Sequence, residues 1–533
     1  MAGLERYRGN FYNWYDIETL QPLRPAYVST VDSGNLAGHL LTLRVGLLEA
    51  TEAPLLGRQL LAGARDTIAL ALEDLQTERE SLGPAGVVRE LREALDTLSR
   101  TLDLAEQPKD LGGWHGLLER LSANAADVEM LLGSLDGSLR DETQDPTQLW
   151  PSTSLERMRA ACVDAVRAVR GPFDLLRELT PWAELLGEAP AEVRFRPELR
   201  PLLEFVPSLV GLAEGLDRVL VALDDLAENA ASDESRVWAE RIGRGIRDGR
   251  GVCVGLLART RLSAEIAREM WEHTDFAMLF DEPRLLFSIG YNLTEGRLDS
   301  SFYDLLASEA RVASFLAVAK GDVPQAHWFR LGRQLTDAGT GRALVSWSGS
   351  MFEYLMPLLI MRSWPGTILD ETYRTVVKRQ RQYAAERGVP WGVSEAAFNA
   401  KDVDLTYQYQ AFGVPGLGLK RGLADDVVVA PYAAMLALPI DAGSVVTGLQ
   451  AFSEQGAEGR YGFYESVDYT AGRVPAGERR AVVRAYFAHH QGMAFLALTN
   501  QLTGERMRER FHSDPMVASA DLLLQERVPR GVE

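Results

Sequence analysis

Apolar residues recur at helical spacing through the first half of the chain. Leucines three or four positions apart, such as Leu56 with Leu60 and Leu72 with Leu75, predict a series of amphipathic helices across residues 50–250. Glycine and proline clusters predict breaks between these helices. The breaks are expected near residues 83–86, 108–113, 145–151, 171–172 and 197–201.

Two further helices are predicted around this leucine-rich region. Residues 233–270, rich in Arg and Glu, are expected to form one long helix in which glycines are weak points, because glycine is a poor helix former. Before the region, Thr30 or Ser33 is predicted to cap a helix over residues 36–49. The glycines are Gly243, Gly245 and Gly249.

The pattern changes after about Trp271. Aromatic residues, glycines and isolated acids become frequent, and residues 276–289 are predicted to be extended. Residues 302–318 have helical periodicity, with Ser300 or Ser301 as the predicted N-cap. Later helices are predicted after Ser348 or Ser350, over residues 370–387 up to Gly388, and over residues 485–498.

The predicted helix over residues 302–318 carries candidate chemistry in its first turns. Tyr303, Asp304 and Glu309 all fall there. Asp304 is equally well interpreted as a surface carboxylate that favours the helix dipole. Glu309 lies deeper, between alanines, where a buried carboxylate needs a functional reason.

Pairs of helices joined by decorated loops predict the all-α class. Six such pairs arranged in a circle would form an (α/α)6 barrel, here with an additional helical region. We expect residues 1–82 to form the first part of the barrel with an N-terminal aromatic loop. Residues 83–250 are expected to form a helical accessory region without chemistry, and residues 251–533 the main part of the barrel.

The composition narrows the function classes. The chain has 533 residues and a net charge of −19, which argues against nucleic acid and anionic membrane surfaces as partners. It contains no apolar run long enough to span a membrane and no signal-peptide core, so a cytoplasmic location is expected. The two cysteines cannot form a disulfide framework. His489 and His490 are adjacent and point about 100° apart on a helix, and no third ligand lies at metal spacing, so no metal site is expected.

Eight ordered motifs make the chain resemble a known family. They are NFYNWYD, STVDSGNLAGHL, SFYDLLASEAR, SWSGSMFEYLMP, PWGVSEAAFN, YGFYESVDYT, AHHQGM and LLLQERVP. Together they are similar to the transglycosylating domain of cyclic β-1,2-glucan synthases, glycoside hydrolase family 189, within the glucoamylase-like group. The motifs span residues 10–529, although residues 83–232 contribute little to the resemblance.

The resemblance implies both a fold and a reaction. It implies an (α/α)6 barrel that cleaves linear β-1,2-glucan and transfers the cut chain to itself, giving a ring, or to another glucan. The anomeric configuration would be retained without a metal or nucleotide. Full-length relatives carry a membrane-bound glycosyltransferase before this domain and a phosphorylase-like domain after it, so this chain is expected to be either an excised domain of an inner-membrane synthase or a stand-alone relative.

Retention requires a nucleophile and an acid, usually two carboxyl groups. We assign the nucleophile to Glu395 and the general acid/base to Glu309, which in this family is thought to act through a substrate hydroxyl. The remaining candidates would bind substrate. They are Trp14, Asp16, Tyr303, Asp304, Trp347, Glu353, Trp391, Phe398, Tyr464, Glu465, His489 and Gln491.

Several alternatives stay open at this point. Glu395 could instead be a capping carboxylate after Ser394, and Glu465 competes with it for the catalytic role. The N-terminal aromatic cluster around Trp14 could be a core plug instead of a sugar platform. For the whole chain, an endo-β-1,2-glucanase or a non-catalytic glucan-binding module of a larger synthase are the competing functions.

Overall fold

The computed structural model describes residues 1, 3–77, 85–142, 152–339, 341–459 and 461–527. Within these ranges the chain is mainly helical, as expected. The α-helices are α1 (Thr30–Glu52), α2 (Arg58–Thr77), α3 (Ala85–Asp103), α4 (Leu111–Glu142), α5 (Ser152–Leu179), α6 (Arg200–Leu203), α7 (Leu209–Glu214), α8 (Asp217–Asn229), α9 (Asp233–His273), α10 (Arg311–Lys320), α11 (Ala326–Arg330), α12 (Met351–Leu355), α13 (Ile368–Arg387), α14 (Pro431–Met435), α15 (Leu438–Glu454), α16 (Ala488–Thr503), α17 (Arg506–His512) and α18 (Pro515–Ala520). Short 3-10 helices are Ala183–Glu188, Ala191–Phe195, Pro197–Leu199, Ala277–Leu279, Met356–Leu359 and Asp521–Gln525.

Short antiparallel strands connect the helices. They are β1 (Arg6–Tyr7), β2 (Asn10–Phe11), β3 (Tyr27–Ser29), β4 (Phe280–Asp281), β5 (Leu286–Ser288), β6 (Gly290–Asn292), β7 (Arg297–Leu298), β8 (Phe302–Tyr303), β9 (Leu335–Asp337), β10 (Arg342–Leu344), β11 (Ala396–Lys401), β12 (Tyr407–Gln410), β13 (Val428–Val429), β14 (Glu458–Gly459), β15 (Gly462–Phe463), β16 (Ser466–Asp468) and β17 (Ala481–Val483). Three-stranded sheets have the orders β3-β6-β7, β4-β5-β8 and β13-β16-β17. The pairs β1-β2, β9-β10, β11-β12 and β14-β15 form two-stranded sheets.

The chain divides into two compact units. Unit 1 comprises Met1–Leu47 and Ser263–Glu533, and unit 2 comprises Leu48–Leu262. The boundaries expected from sequence, at residues 82 and 250, therefore differ from the observed division: residues 48–82 belong to unit 2. The observed boundaries fall inside the continuous helices α1 and α9, where composition carries no break signal.

Each unit has its own hydrophobic core. In unit 2, α3 places Leu91, Leu95, Leu98 and Leu102 on one face, and all four are fully buried. This spacing of three and four residues is the one that the leucine pattern predicts. In unit 1 the core gathers residues from the helices and from the strands that precede the motif-bearing loops. Among the described residues, no helix is both long enough and apolar enough to cross a membrane.

The structure tests the break predicted at residues 171–172 and the long helix predicted over residues 233–270. The break predicted at residues 171–172 is wrong, because α5 continues through Pro172. The long helix predicted over residues 233–270 is confirmed as α9. Its weak point Gly249 is required by packing, since a Cβ there would lie 2.5 Å from the Leu179 carbonyl oxygen. The break predicted at residues 145–151, and residues 83–84 of another, lie outside the described residues.

The helix predicted over residues 302–318 is wrong in its first half. Phe302 and Tyr303 form β8, in which Tyr303 pairs with Phe287 of β5, and the helix begins only at Arg311. Pairing with a strand distant in sequence overrides the local helical periodicity. Glu309 consequently lies in the turn that enters α10, and neither Ser300 nor Ser301 caps it.

Other helix ends follow the sequence more closely. Helix α13 ends at Gly388, which adopts the left-handed conformation with φ 67°. Helix α12 is capped by Ser350, one of the two predicted candidates. Helix α1 starts earlier than expected, at Thr30, and the Ser29 hydroxyl accepts a hydrogen bond from the Asp32 amide at 3.2 Å.

Candidate active site

Glu309, Glu395 and the three carboxyl groups whose charges act on them form a group of five in unit 1. The charges of Glu353 and Glu395 raise the pKa of Glu309, and those of Glu353, Asp32 and Glu465 raise the pKa of Glu395. Such effects require short separations, because the interaction between charges weakens with distance and with screening. The structure therefore brings together residues from α1, the turn before α10, α12 and the loops preceding β11 and β16.

Glu309 is held in the turn that leads into α10. The Ser308 hydroxyl donates to its Oε2 at 3.2 Å and also accepts from the Ala310 amide at 3.2 Å. Burial, followed by repulsion from Glu353 and Glu395, raises the pKa of Glu309 to about 8. A carboxyl group with this pKa is protonated near neutral pH, as a general acid must be.

A buried arginine fixes the position of this turn. Arg311 is 2% exposed and donates to the carbonyl oxygens of Leu306 and Tyr354 at 2.9 and 3.2 Å, and to the Tyr373 hydroxyl at 3.0 Å. Because its partners come from the turn before α10, from α12 and from α13, Arg311 joins the segment that carries Glu309 to the helix that carries Glu353.

Glu395 ends a tightly held loop between α13 and β11. The buried Gln380 amide of α13 both donates to and accepts from the Val393 backbone, at 2.8 and 2.9 Å. The Ser394 hydroxyl accepts hydrogen bonds from the Phe352 amide and the Tyr432 hydroxyl, both at 3.0 Å. These contacts fix the backbone immediately before Glu395.

A tyrosine hydroxyl orients the side chain of Glu395. The Tyr409 hydroxyl donates to its Oε1 at 3.0 Å. Burial is the main reason that the pKa of Glu395 rises to about 7, and the Tyr409 hydrogen bond opposes this rise. The alternative in which Glu395 caps a helix is wrong, since the strand β11 follows it.

Glu353 is a capping residue in this structure. It forms a capping box with Ser350 at the start of α12, and its carboxylate also accepts from the Ser346 hydroxyl at 2.9 Å and the Ser348 amide at 2.9 Å. With both oxygens occupied and only 8% of the residue exposed, Glu353 is poorly placed for the expected contact with sugar hydroxyls. Its charge acts on Glu309 and Glu395 instead.

Glu465 is also fully buried and occupied. Its carboxylate accepts from the Ala397 amide at 3.1 Å and lies 2.8 and 3.0 Å from His490 Nδ1. Its burial and its contact with a histidine weigh against direct attack on a sugar. Of the two histidines, His490 is the buried one and His489 is exposed.

Trp347 presents an exposed indole held by a carboxylate. Its Nε1 donates to Asp304 Oδ1 at 2.7 Å, and 49% of the residue is exposed. An open aromatic face fixed in this way suits a pyranose ring, whose C–H groups pack on aromatic surfaces. Asp304 thus orients Trp347. Tyr303 lies near Glu309, whose charge raises the pKa of the tyrosine.

Trp391 and Phe398 have packing roles. Trp391 is 7% exposed and donates from Nε1 to the Ser444 carbonyl at 3.3 Å, and it lines a cavity between α13 and α15 that includes none of the five carboxylates. The Phe398 ring contacts Phe412 and is covered by the Arg473 guanidinium at 4.8 Å. Neither position supports the expected contact with sugar.

The remaining candidates lie in two places. Tyr464 contacts Tyr486, and Gln491 donates to the Phe463 carbonyl at 3.0 Å, so both belong to the region around Glu465. Asp16 accepts hydrogen bonds from Glu18 and Thr19 within its own turn, and Trp14 is 54% exposed. The structure shows no contact between that turn and the five carboxyl groups, within the residues it describes.

Two residues of this site are absent from the sequence-based candidates. Asp32, in the first turn of α1, lies in the motif STVDSGNLAGHL, which was a signal for it. Its charge raises the pKa of Tyr303 and of Glu395, and burial raises its own pKa. Tyr409 lies opposite Ala397 in the β11–β12 pair, and nothing in its local sequence marks this register.

Carboxyl groups dominate the described site. Among the described residues, no group of three or more His, Cys, Asp or Glu side chains is arranged to hold a metal ion. The site can carry out acid–base and nucleophilic chemistry with two carboxyl groups whose pKa values lie near neutrality.

Two comparisons with known proteins agree with this chemistry. Residues 301–515, which include both Glu309 and Glu395, match the Glycoamylase family, described as putative glucoamylase. Over these residues the chain is similar to a glucoamylase-like family. This similarity agrees with the mainly helical barrel class of fold and supports a carbohydrate-active enzyme of the glycoside hydrolase type.

The second match extends over nearly the whole chain. The chain is 37% identical over 533 residues, or 99% of its length, to the cyclic beta-(1,2)-glucan synthase NdvB of Rhizobium meliloti (strain 1021). The resemblance inferred from the motifs is thereby confirmed. The chain spans only 16% of the length of that relative.

Proposed function

We propose that the chain is an anomer-retaining β-1,2-glucan transglycosylase. The observation that carries this proposal is the pairing of Glu309 and Glu395, two partly buried carboxyl groups with raised pKa values, in a domain similar to part of a cyclic β-1,2-glucan synthase. Linear and cyclic β-1,2-glucan are the proposed substrate and product. The chain would act as a cytoplasmic part of a larger synthase with glycosyltransferase and phosphorylase-like domains.

In the first step, a Glu395 carboxylate oxygen attacks the anomeric carbon of a glucose unit. The bond from this carbon to the bridging oxygen breaks, and that oxygen takes a proton that originates from Glu309, relayed by a substrate hydroxyl. A covalent glycosyl–enzyme and a shortened glucan result. The raised pKa of Glu309 keeps its proton available for this step.

In the second step, a hydroxyl group of a glucan attacks the same anomeric carbon from the opposite face. Its proton returns to Glu309 by the reverse route, and Glu395 leaves as the carboxylate. Two inversions give overall retention. When the attacking hydroxyl belongs to the far end of the bound chain, the product is a ring.

The substrate contacts follow from the exposed groups near this pair. Trp347, fixed by Asp304, provides a ring-stacking surface, and Tyr303 and Asp32 offer polar groups beside the carboxyl pair. Tyr464, His489 and Gln491 are proposed to line the side near β16 and α16. Trp14 and Asp16 are proposed to contact glucan farther from the bond that is cleaved.

Product analysis tests the proposal. The protein is incubated with linear β-1,2-glucan, and rings, longer chains and reducing ends are measured over time. We expect chain lengths to spread and rings to form while the reducing-end concentration stays nearly flat. A rise in reducing ends that matches bond loss would indicate an endo-β-1,2-glucanase, and no change in the glucan would reject the substrate.

A matched pair of variants shows that the activity belongs to this site. Glu309→Gln removes the proposed acid, whereas Glu371→Gln changes an exposed glutamate of α13. Loss of general acid catalysis lowers rates by roughly 10²–10⁴-fold. Only Glu309→Gln should show such a loss.

A further inference from the structure

A continuous hydrogen-bonded chain runs from Glu395 to two fully buried ionisable groups. The Tyr409 hydroxyl lies 3.0 Å from Glu395 Oε1 and 3.2 Å from His490 Nε2. On the other side of the imidazole, Nδ1 lies 2.8 and 3.0 Å from the two oxygens of Glu465. The side chains of His490 and Glu465 have no exposed surface.

The number of protons in this chain restricts its protonation states. Carboxylate oxygens accept hydrogen bonds, so the Nδ1 that faces Glu465 carries a proton. The Tyr409 hydroxyl has a single proton, so when it donates this proton to Glu395, its hydrogen bond with His490 requires a proton on Nε2. With both hydrogen bonds formed, a deprotonated Glu395 therefore corresponds to a doubly protonated His490.

A second arrangement has the same net charge. There Glu395 is protonated and donates to the Tyr409 oxygen, while the tyrosine proton points to an unprotonated Nε2. Moving the carboxyl proton from Glu395 to Tyr409, together with the tyrosine proton to Nε2, converts this arrangement into the first. No proton enters from solvent and no atom is lost.

We propose that His490, acting through Tyr409 and balanced by Glu465, holds the proton of Glu395 and so keeps Glu395 ionised for attack. The inference rests on the proposed function, in which Glu395 is the nucleophile. The three residues are positioning residues, since none of them needs to touch the substrate. We call the hydrogen-bonded chain of Glu395, Tyr409, His490 and Glu465 the relay. It gives the buried Glu465 and His490 a role other than binding sugar.

The surroundings of Glu395 show why such a device is needed. Glu353, Asp32 and Glu465 face Glu395 with negative charge, Glu309 and Tyr303 lie nearby, and burial disfavours its charged form. A cation on His490 offsets part of this repulsion. The Tyr409 hydroxyl keeps its proton, because burial and the Glu395 charge raise its pKa.

The surroundings of His490 hold the imidazole in line. The Tyr432 ring stacks on it with centroids 3.7 Å apart and planes 11° apart, and Phe487 lies on it at 5.8 Å. The Ala397 amide anchors Glu465. The adjacent His489 has an exposed surface, but the protein around its ring partly removes it from water. This desolvation and the charge of His490 lower its pKa to about 4, so His489 is neutral near pH 7.

The test compares the pH dependence of kcat/KM for four variants acting on linear β-1,2-glucan. Tyr409→Phe, His490→Gln and Glu465→Gln each interrupt the relay, whereas Tyr407→Phe removes a hydroxyl from the same strand outside it. The acidic limb is the fall of kcat/KM towards low pH. In the three relay variants we expect this limb to move to higher pH by about one unit, which lowers kcat/KM tenfold at pH values below the limb. Tyr407→Phe should leave the limb in place.

The direction in which Glu465→Gln moves the acidic limb distinguishes the relay from a simple charge effect. Removal of a nearby negative charge by itself would lower the pKa of Glu395 and move the acidic limb to lower pH. Loss of the partner of His490 moves the limb to higher pH instead, because the imidazole gives up the proton that it holds for Glu395. A shift to lower pH, or a uniform loss at all pH values, would overturn the relay.

A measurement without turnover separates this inference from the proposed function. ¹⁵N NMR of histidine-labelled wild-type protein at neutral pH should show both nitrogens of His490 protonated. The signals of His490 are assigned by their loss from the spectrum of His490→Gln. An unprotonated Nε2 would overturn the relay even if transglycosylation is observed. Conversely, a doubly protonated His490 in a protein that leaves β-1,2-glucan intact would reject the proposed function alone.

Discussion

At the scale of single residues, the main feature is the group of five carboxyl groups in the candidate active site. Burial and mutual repulsion raise the pKa of Glu309 to about 8 and that of Glu395 to about 7. Groups with such pKa values can serve as acid and base near neutral pH. In the proposed function Glu395 must be ionised and Glu309 protonated, so their titrations limit activity from opposite sides.

A bell-shaped pH profile is the first expected consequence. Activity should fall below about pH 7 as Glu395 gains a proton, and above about pH 8 as Glu309 loses one. The maximum of kcat/KM should lie between these values. The measurement is the initial rate of glucan redistribution across buffers of constant ionic strength, and a rate that stays flat from about pH 5 to 10 would contradict the assignment.

The same pKa shift predicts an effect on stability. Because the pKa of Glu309 is raised from 4.5 to about 8 in the folded state, the folded protein binds more protons than the unfolded chain between these values. Stability from this group is complete below about pH 4.5 and is lost as the pH rises through 8.

Glu309→Gln should therefore stabilise the protein at alkaline pH. We expect a gain in the free energy of unfolding of about 1–3 kcal/mol at pH 9 and almost none at pH 5. Thermal or denaturant unfolding at the two pH values checks this, with Glu371→Gln as the exposed control. An equal effect at both pH values would show that charge burial at Glu309 is not the cause.

Sequence reasoning identified some residues of the site and missed others for a physical reason. Glu309 and Glu395 lie within motifs whose small and aromatic neighbours signal buried carboxyl groups. Tyr409 reaches Glu395 only through the register of β11 with β12, and Asp32 reaches it from α1. The register that brings Tyr409 to Glu395 leaves no local pattern, whereas Asp32 lies in a motif that could have marked it.

At the scale of elements, the start of α12 joins folding to electrostatics. Its capping box uses Ser350 and Glu353, and Ser346 and Ser348 complete the shell around the same carboxylate. The carboxylate thus satisfies the free amides of a helix start, and its charge raises the pKa of Glu309.

Glu353→Gln should change both the stability of the protein and the pKa of Glu309. Loss of charge-assisted capping bonds should cost about 1–3 kcal/mol of stability. Loss of the negative charge should lower the pKa of Glu309 and move the alkaline limb of kcat/KM to lower pH. Unfolding midpoints and pH profiles measure the two effects, and an alkaline limb that moves to higher pH would contradict this account.

The helix ends also show which predictions from local sequence are correct. The helix predicted to end at Gly388 does so, since a left-handed residue closes it. The helix predicted to start near Phe302 fails, because Phe302 and Tyr303 pair with β5 and no local signal reveals a partner strand. Capping chemistry is readable from sequence, whereas strand pairing depends on the tertiary fold.

At the scale of the whole molecule, the leucine-rich pattern and the motif-rich pattern correspond largely to different units. Unit 2 has its own core of regularly spaced leucines, and the described carboxyl site lies wholly in unit 1. The class of fold could be predicted from periodicity. The unit boundaries could not, because α1 and α9 continue through them without a change in pattern.

A substitution that creates a cavity in the core of unit 2 tests the proposal that this unit carries no chemistry. Leu98→Ala in α3 should cost about 2–5 kcal/mol of stability, since Leu98 is fully buried. The apparent pKa values of the activity profile should stay unchanged. Denaturation and pH profiles provide the readout, and a displaced limb in a variant that remains folded would link unit 2 to the catalytic groups.

The central claim is that Glu395 forms the covalent bond to the sugar. Glu395→Gly leaves space for azide, which can attack the anomeric carbon in place of the missing carboxylate. The most direct measurement is incubation of this variant with linear β-1,2-glucan and azide, followed by NMR of the products. We predict an α-glucosyl azide, formed by a single inversion and absent without azide. A Glu395→Gly variant that still redistributes glucan at the wild-type rate, while Glu465→Gln is inactive, would contradict the claim.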